Sequence, residues 1–587
     1  MQHRTRAIWI MVVLACGFTL ISFNLIQVQL VQHEKYLAMA ISNHTYKVVI
    51  PAKRGEIRDA DGNVLAQTQR VYDIRVDGLA FSKVHPDATI KLLADALQTT
   101  PDRIPWSTKE RYQLIAHEVE DSVMENVKAL KLDSIIIEPR DRRIYPNNYL
   151  AAHVLGYADD EGRGLAGMEK QMDAVLRGEA GQRQVERDAH KNAIALYDSG
   201  YTPAVDGDDV TLTIRTAIQH VVDVQLDQIA QTYSPNAAYI IVMDPHTGEV
   251  LAMGSRPTYD PNNRADLKPE VTRNRCLTDP VEPGSVFKII TLGAALNEGR
   301  VALDTPIYCE NGCFYYAGKE LHDDEPNGTL SVEEVMAKSS NIGFAKIALN
   351  YLDKQKLYDY ATAFGMGERT GLFTGQGETG GWLQPVNKWS ALSITRIPMG
   401  QEVLASPIQL ATAMCVIANG GKLMAPMLTK QVTDPSGRVL KTFEPRDVRQ
   451  VISPAAAREV AEALHQVTID GTAKGIKITD AQGRGYSYAA KTGTAQKWIN
   501  GEGYSHTQHV ASFLGFMPVD DPQFVMLVMV DDPKTKPHGD YGATVSAPVF
   551  ATIAKQMAQI MNIQPDIPAP VPTTPALSVN TPAHASL

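Results

Sequence analysis

Cysteine is scarce in this chain, 5 in 587 residues, and aromatic side chains reach only 7%. Nowhere do basic residues interleave with aromatics, and Asp plus Glu exceed Lys plus Arg, 66 to 56, for a formal net charge of −10. That balance argues against nucleic acid as a partner. Neither His33-Glu34 nor His117-Glu118 is followed by a histidine at the spacing of a zinc-protease helix. After residue 31 no second charge-free run is long enough to cross a bilayer, and no repeated modules close the carboxy-terminal side.

What is present starts with size: the chain has room for two to four domains, and 44% hydrophobic content is ample for buried cores. Residues 1–6 carry His3, Arg4 and Arg6, and Ala7 to Val31 then runs without one formal charge. Such a run spans a bilayer as a helix. Positive charge ahead of it puts residues 1–6 in the cytoplasm and everything after 31 outside. A cleaved signal peptide has an apolar core of only about 7–15 residues. Val13-Leu14-Ala15-Cys16-Gly17 loosely resembles a lipid-attachment box, but the apolar run continues through Phe18, Leu20, Ile21, Phe23, Leu25 and Ile26. The expectation is an uncleaved anchor over 7–31.

The stretch that organises the rest is Pro283-Gly284-Ser285-Val286-Phe287-Lys288-Ile289-Ile290, where a glycine turn passes into an apolar run. On a helix, positions three apart share a face, so Lys288 would lie beside the Ser285 hydroxyl and, if neutral, take its proton. A place in the first helical turn also favours negative charge at Ser285, because unpaired N–H groups and the helix dipole point there. Alone, Ser-x-x-Lys is a common pattern. Ser339-Ser340-Asn341 follows between two helical segments, Leu330 to Lys338 and Ile342 to Leu352. Lys491-Thr492-Gly493-Thr494 follows in a stretch that reads as a strand. Three such motifs in this order form the signature of penicillin-binding proteins and class A β-lactamases.

Between 32 and 205 the motifs read as structural. Arg54-Gly55-Glu56-Ile57-Arg58-Asp59 with Asp61-Gly62-Asn63 and Leu65-Ala66 reads as two short strands joined by a turn. Arg143-Ile144-Tyr145-Pro146 and Gly164-Leu165-Ala166-Gly167-Met168-Glu169 punctuate the region, and His153 reads as a packed histidine. With these boxes the chain resembles a class B penicillin-binding protein, the bitopic transpeptidases of bacterial cell-wall synthesis, from the anchor to about Ile563. Ala60 departs from the arginine expected after the box aspartate. The resemblance implies a non-catalytic pedestal over 32–205 and a transpeptidase domain over 206–563.

From residue 206 the pattern changes. Asp209 to Ile214 reads as a strand, Thr216 to Tyr233 as an amphipathic helix, and Ala238 to Asp244 with Glu249 to Gly254 as a hairpin. Strands at His509 to Met517 and Gln523 to Val530 and a helix from Ala547 to Met561 close an α+β domain. The resemblance implies a mostly antiparallel five-stranded sheet with helices on both faces, the fold shared with serine β-lactamases. The Pro-, Ala- and Thr-rich segment 564–587 reads as disordered.

The roles follow from the resemblance. It makes Ser285 the acylated nucleophile and Lys288 its base, with burial and the charge of Lys491 keeping Lys288 neutral. Ser339 passes a proton to the leaving amine, and Asn341 binds a substrate amide while holding Lys288. Lys491, Thr492 and Thr494 fix the substrate carboxylate, and Gly493 lets substrate backbone lie along the strand. Backbone N–H groups of Ser285 and Thr494 form the oxyanion hole. The implied donor is a peptidoglycan stem peptide ending in D-Ala-D-Ala, presented on a lipid-linked precursor, and β-lactams mimic it. A multi-span glycan polymerase and division-complex proteins are the implied partners, in the bacterial inner membrane.

Between Asn341 and Lys491 there is no Glu-x-x-Leu-Asn segment of the kind that deacylates class A β-lactamases. Total length, the Ser-Ser-Asn form and Gly420-Gly421 favour the septal type over the elongation type. A penicillin sensor would bring several spans and a zinc protease, and an inactive scaffold is argued against by the intact motifs. No cofactor or metal is expected. One question stays open: Cys309 and Cys313, followed by His322, are free thiols, a local disulfide or a metal pair. Cys16, Cys276 and Cys415 read as packed.

Overall fold

A computed structural model describes residues 2–82, 86–107, 110, 112–187, 193–499, 501, 503–535 and 539–569. The expected disordered tail lies outside the described residues from 570 onward. By internal contacts the chain divides into two units, 1–55 with 177–208, and 56–176 with 209–587.

In the first unit, the charge-free run lies in α1, Gln2–Ile26, and in its continuation as a wider turn to Val31. Trp9, Phe18 and Leu20 are each 69% exposed on it. Among the described residues this is the one helix long and apolar enough to cross a membrane, with a mean hydropathy of 2.2. The same unit holds an antiparallel three-stranded sheet in which Gly181–Arg187 lies between Thr45–Ile50 and Ala193–Thr202.

In the second unit, Glu56 to Asp59 and the turn that follows form the start of a mixed seven-stranded sheet. Ile57–Arg58 pairs antiparallel with the long strand Val64–Val76 and parallel with Asp209–Leu212. Asp59 is the hinge of this corner: its buried carboxylate accepts from Asp61 N at 2.9 Å, Asn63 N at 2.7 Å and Thr216 N at 3.0 Å. Burial works to raise its pKa, but the bonds from Asn63 and Thr216 outweigh it and hold the acid below its usual range. The Thr216 bond starts α2, Thr216–Tyr233, the amphipathic helix expected from the sequence. Arg143 and Glu169, from the two later boxes, meet in an ion pair of 2.6 Å with side chains only 5% and 0% exposed. His153 is also buried, its Nε2 2.8 Å from the Val271 carbonyl, and burial lowers it to about 4.

The second sheet holds the motifs. Its strands are β1 (Ala237–Met243), β2 (Val250–Arg256), β5 (Ala489–Ile499), β6 (Gly503–Met517) and β7 (Phe524–Asp531), in the order β2-β1-β7-β6-β5 with every pairing antiparallel. Every residue of β1 is buried, so helices cover both faces. Helix α2 packs with α8 (Gly542–Ile560), and α6 (Pro407–Ala418) packs with α7 (Pro454–Ile469). Between the sheet's halves in sequence come α3 (Lys288–Asn297), the small ribbon β3 (Cys313–Tyr316) and β4 (Lys319–His322), α4 (Val332–Ala337) and α5 (Asn341–Tyr351). The chain past Gln564 stays paired as far as Ile567, which bridges to Gly485.

Candidate active site

Gly284 enters the site in the left-handed region at φ +55, a conformation that a Cβ would strain. It opens a tight three-ten turn, Gly284–Phe287, that hands over to α3 at Lys288. The turn runs along β5. A methyl at Gly284 would come within 3.1 Å of Ala495 Cβ, and one at Gly493 within 2.9 Å of Val286 Cγ2. Half-buried Ser285 therefore sits across from Thr494 on the edge strand.

Lys288 is fully buried and donates to three oxygens: the Ser339 carbonyl at 2.7 Å, Ser339 Oγ at 3.1 Å and Asn341 Oδ1 at 2.8 Å. Ser339 Oγ in turn donates to Ser285 Oγ at 3.1 Å. Spacing along the chain placed Lys288 directly against Ser285. The structure joins them through Ser339, which accepts from Lys288 and donates to Ser285. Ser339 holds φ +55, a costly conformation for a residue with a side chain. It turns both the carbonyl and the hydroxyl of one residue toward Lys288.

What holds Asn341 was not legible in the motifs. Its Nδ2 donates to the His322 carbonyl at 3.1 Å, so its amide oxygen is aimed at Lys288. Asp323 then accepts from Ser340 Oγ at 2.5 Å and from Ile342 N at 2.9 Å, and Ser340 caps α5 through Gly343 N at 2.9 Å. Thr472 is a second addition, its hydroxyl 2.6 Å from Thr492 Oγ1. Its neighbours carry no motif, and 20 residues separate the pair.

Burial pulls Lys288 down to about 7, against the opposing charges of Asp323 and Asp324. Lys491 is fully buried as well, and burial followed by the charge of Lys288 lowers it well below the usual amine range. Burial is thus the first cause at both amines, and the lysine–lysine repulsion invoked from sequence for Lys288 acts instead on Lys491. Gly493 has a packing reason of its own: a Cβ there would meet Ser512 Oγ at 2.3 Å, inside the sheet. Its bareness lets β5 pack against β6 and the serine turn.

Cys309 and His322 are not brought together. Cys309 is buried with its sulfur 3.5 Å from Ser340 Oγ, whereas Cys313 is exposed and faces His322 across the ribbon. All five cysteines are free thiols.

An antiparallel five-stranded sheet between helices, with a serine turn laid along its Lys-Thr-Gly edge strand, defines the penicillin-binding class of folds. Residues 238–555 match the penicillin binding protein transpeptidase domain, and 49–212 match the penicillin-binding protein dimerisation domain. Stage V sporulation protein D of Bacillus subtilis is 31% identical over 96% of this chain and 86% of its own length. The peptidoglycan D,D-transpeptidase FtsI of Escherichia coli is 31% identical over 88% of this chain and 85% of its own. Among solved structures, penicillin binding protein 3 of Mycobacterium tuberculosis, complexed with ampicillin, is 27% identical with a TM-score of 0.69 over 90% of this chain and 99% of that one. The chain belongs to the class B penicillin-binding proteins.

Proposed function

We propose that this protein is a membrane-anchored peptidoglycan D,D-transpeptidase that works through an acyl-enzyme on Ser285, in septal wall synthesis. The chain of hydrogen bonds from Ser285 through Ser339 to a buried, near-neutral Lys288 is the observation that carries the chemistry. With Lys288 neutral, the two bonds run in the other sense and the serine proton moves toward the amine. Ser285 Oγ bonds to the carbonyl carbon of the penultimate D-Ala, the peptide C–N bond breaks, and the proton returns through Ser339 to the departing D-Ala amine. The amine of a second stem peptide then attacks the ester and frees Ser285. N–H groups of Ser285 and Thr494 hold the oxyanion, and Lys491, Thr492 and Thr494 hold the donor carboxylate. A β-lactam opens on the same serine.

The FtsI relative, the length and the Ser339-Ser340-Asn341 form support the septal assignment. The amino-terminal helix serves as anchor with residues 1–6 cytoplasmic. In this reading, 32–205 forms the pedestal, 206–563 the transpeptidase domain, and a multi-span polymerase supplies the glycan.

Labelling with a fluorescent penicillin tests this reading. Stable label that Ser285→Ala abolishes is expected, followed by cross-linking in a stem-peptide assay. Release within minutes would point to a hydrolase, and no label on a folded sample would overturn the serine assignment. Depletion in the native cell should give filaments; rounded cells would move the role to elongation.

A further inference from the structure

The ribbon β3–β4 carries a donor set that the acyl-transfer chemistry does not use. Cys313 lies directly opposite His322 in the antiparallel register, and Glu320 is two residues from His322 on the same strand. Directly opposed residues share a face, as do positions two apart, so all three side chains project from one side. That side is exposed, while Leu321 is buried beneath the ribbon. Their ligand atoms lie within 4.8 Å of one another.

We propose that Cys313, Glu320 and His322 form a zinc-binding site. A thiolate, an imidazole and a carboxylate together suit borderline-soft zinc, whereas calcium and magnesium take oxygen donors. Glu320 Oε2 and His322 Nε2 stand 3.3 Å apart. For zinc bonds of about 2.0–2.1 Å, the edge of a tetrahedron between such ligands is also about 3.3 Å. The sulfur completes the face by a side-chain rotation, and its proton leaves to solvent on binding. Three protein ligands leave the fourth position to water or a small ligand. The place of the site gives it a consequence, since the His322 carbonyl accepts from Asn341 Nδ2 and the next residue, Asp323, braces Ser340 and Ile342. A metal here would fasten the ribbon end on which Asn341 rests.

The test uses the full-length protein in detergent, stripped of metal and dialysed against zinc alone or cobalt alone. About one zinc per chain is expected, with thiolate-to-cobalt charge-transfer absorption in the cobalt sample. Cys313→Ser should abolish that absorption, and Glu320→Gln and His322→Gln should each weaken zinc binding about tenfold or more. Retained penicillin labelling of Cys313→Ser shows that the variant is folded. No zinc on the wild type, or equal zinc on all three variants, overturns the site. Because stoichiometry is read without acylation, a chain that bound zinc at these residues but took no penicillin would uphold this inference and overturn the transpeptidase reading.

Discussion

Lys288 has three oxygen acceptors and no ion pair among the described residues, so its charge is set chiefly by burial. Below about 7 the amine is protonated and cannot act as a base; above it the amine is neutral. Penicillin labelling should therefore rise about tenfold per pH unit up to that point and then level off. A rate series across roughly pH 5 to 9 checks this, and a flat profile would remove Lys288 from its assigned role. Thr472 offers a second test, because Thr472→Val deletes the 2.6 Å contact with Thr492 without changing side-chain volume much. Labelling should slow by about tenfold, the worth of one hydrogen bond, with the melting temperature lowered by only about 2–4 °C. Ser285, Lys288, Ser339, Asn341 and Lys491 were legible because each lies in a short motif of restricted residue types. Thr472, Asp323 and the His322 carbonyl were not, since each acts through one contact between segments distant in sequence, and nothing in the flanking residues marks it.

At the scale of elements, the helices and central strands declared themselves by periodicity. Helix α2 spans the residues its 3.6-residue apolar pattern marks, and β1, β6 and β7 follow their buried runs. Helix α8 starts at Gly542, five residues before the expected Ala547, and the strand misreadings lie where pairing, not burial, makes the strand. β6 begins at Gly503, six residues before the expected His509, because Tyr504 pairs with Trp498 and their rings pack edge to face at 5.1 Å. The parallel pairing of Ile57 with Val210 joins segments 153 residues apart and leaves no local trace. Two elements carry predictions. Ser340→Ala removes the cap of α5 and the Asp323 bond together, and should cost about 1–2 kcal/mol in thermal or urea unfolding while slowing labelling. Gly493→Ala forces a methyl against Ser512 Oγ and Val286 Cγ2, and should abolish labelling. A normally labelled Gly493→Ala protein would show that the serine turn and β5 can part without loss.

For the whole molecule, α1 and its continuation to Val31 leave the charge-free run 7–31 with its apolar side chains uncovered, a surface that water does not tolerate and lipid does. Deleting residues 2–31 should move the protein from the membrane to the soluble fraction with penicillin labelling intact. Recovery in the membrane pellet would place a second attachment elsewhere in the chain. The lysine pair has a consequence of another kind. Lys288 and Lys491 are both buried, and burial shifts both toward the neutral amine, so a ligand that brings a carboxylate to Lys491 raises that amine's affinity for a proton. Binding of such a ligand is then a titration as well as an association: it weakens as pH rises, and calorimetry in two buffers of different ionisation heat would count the proton it takes up.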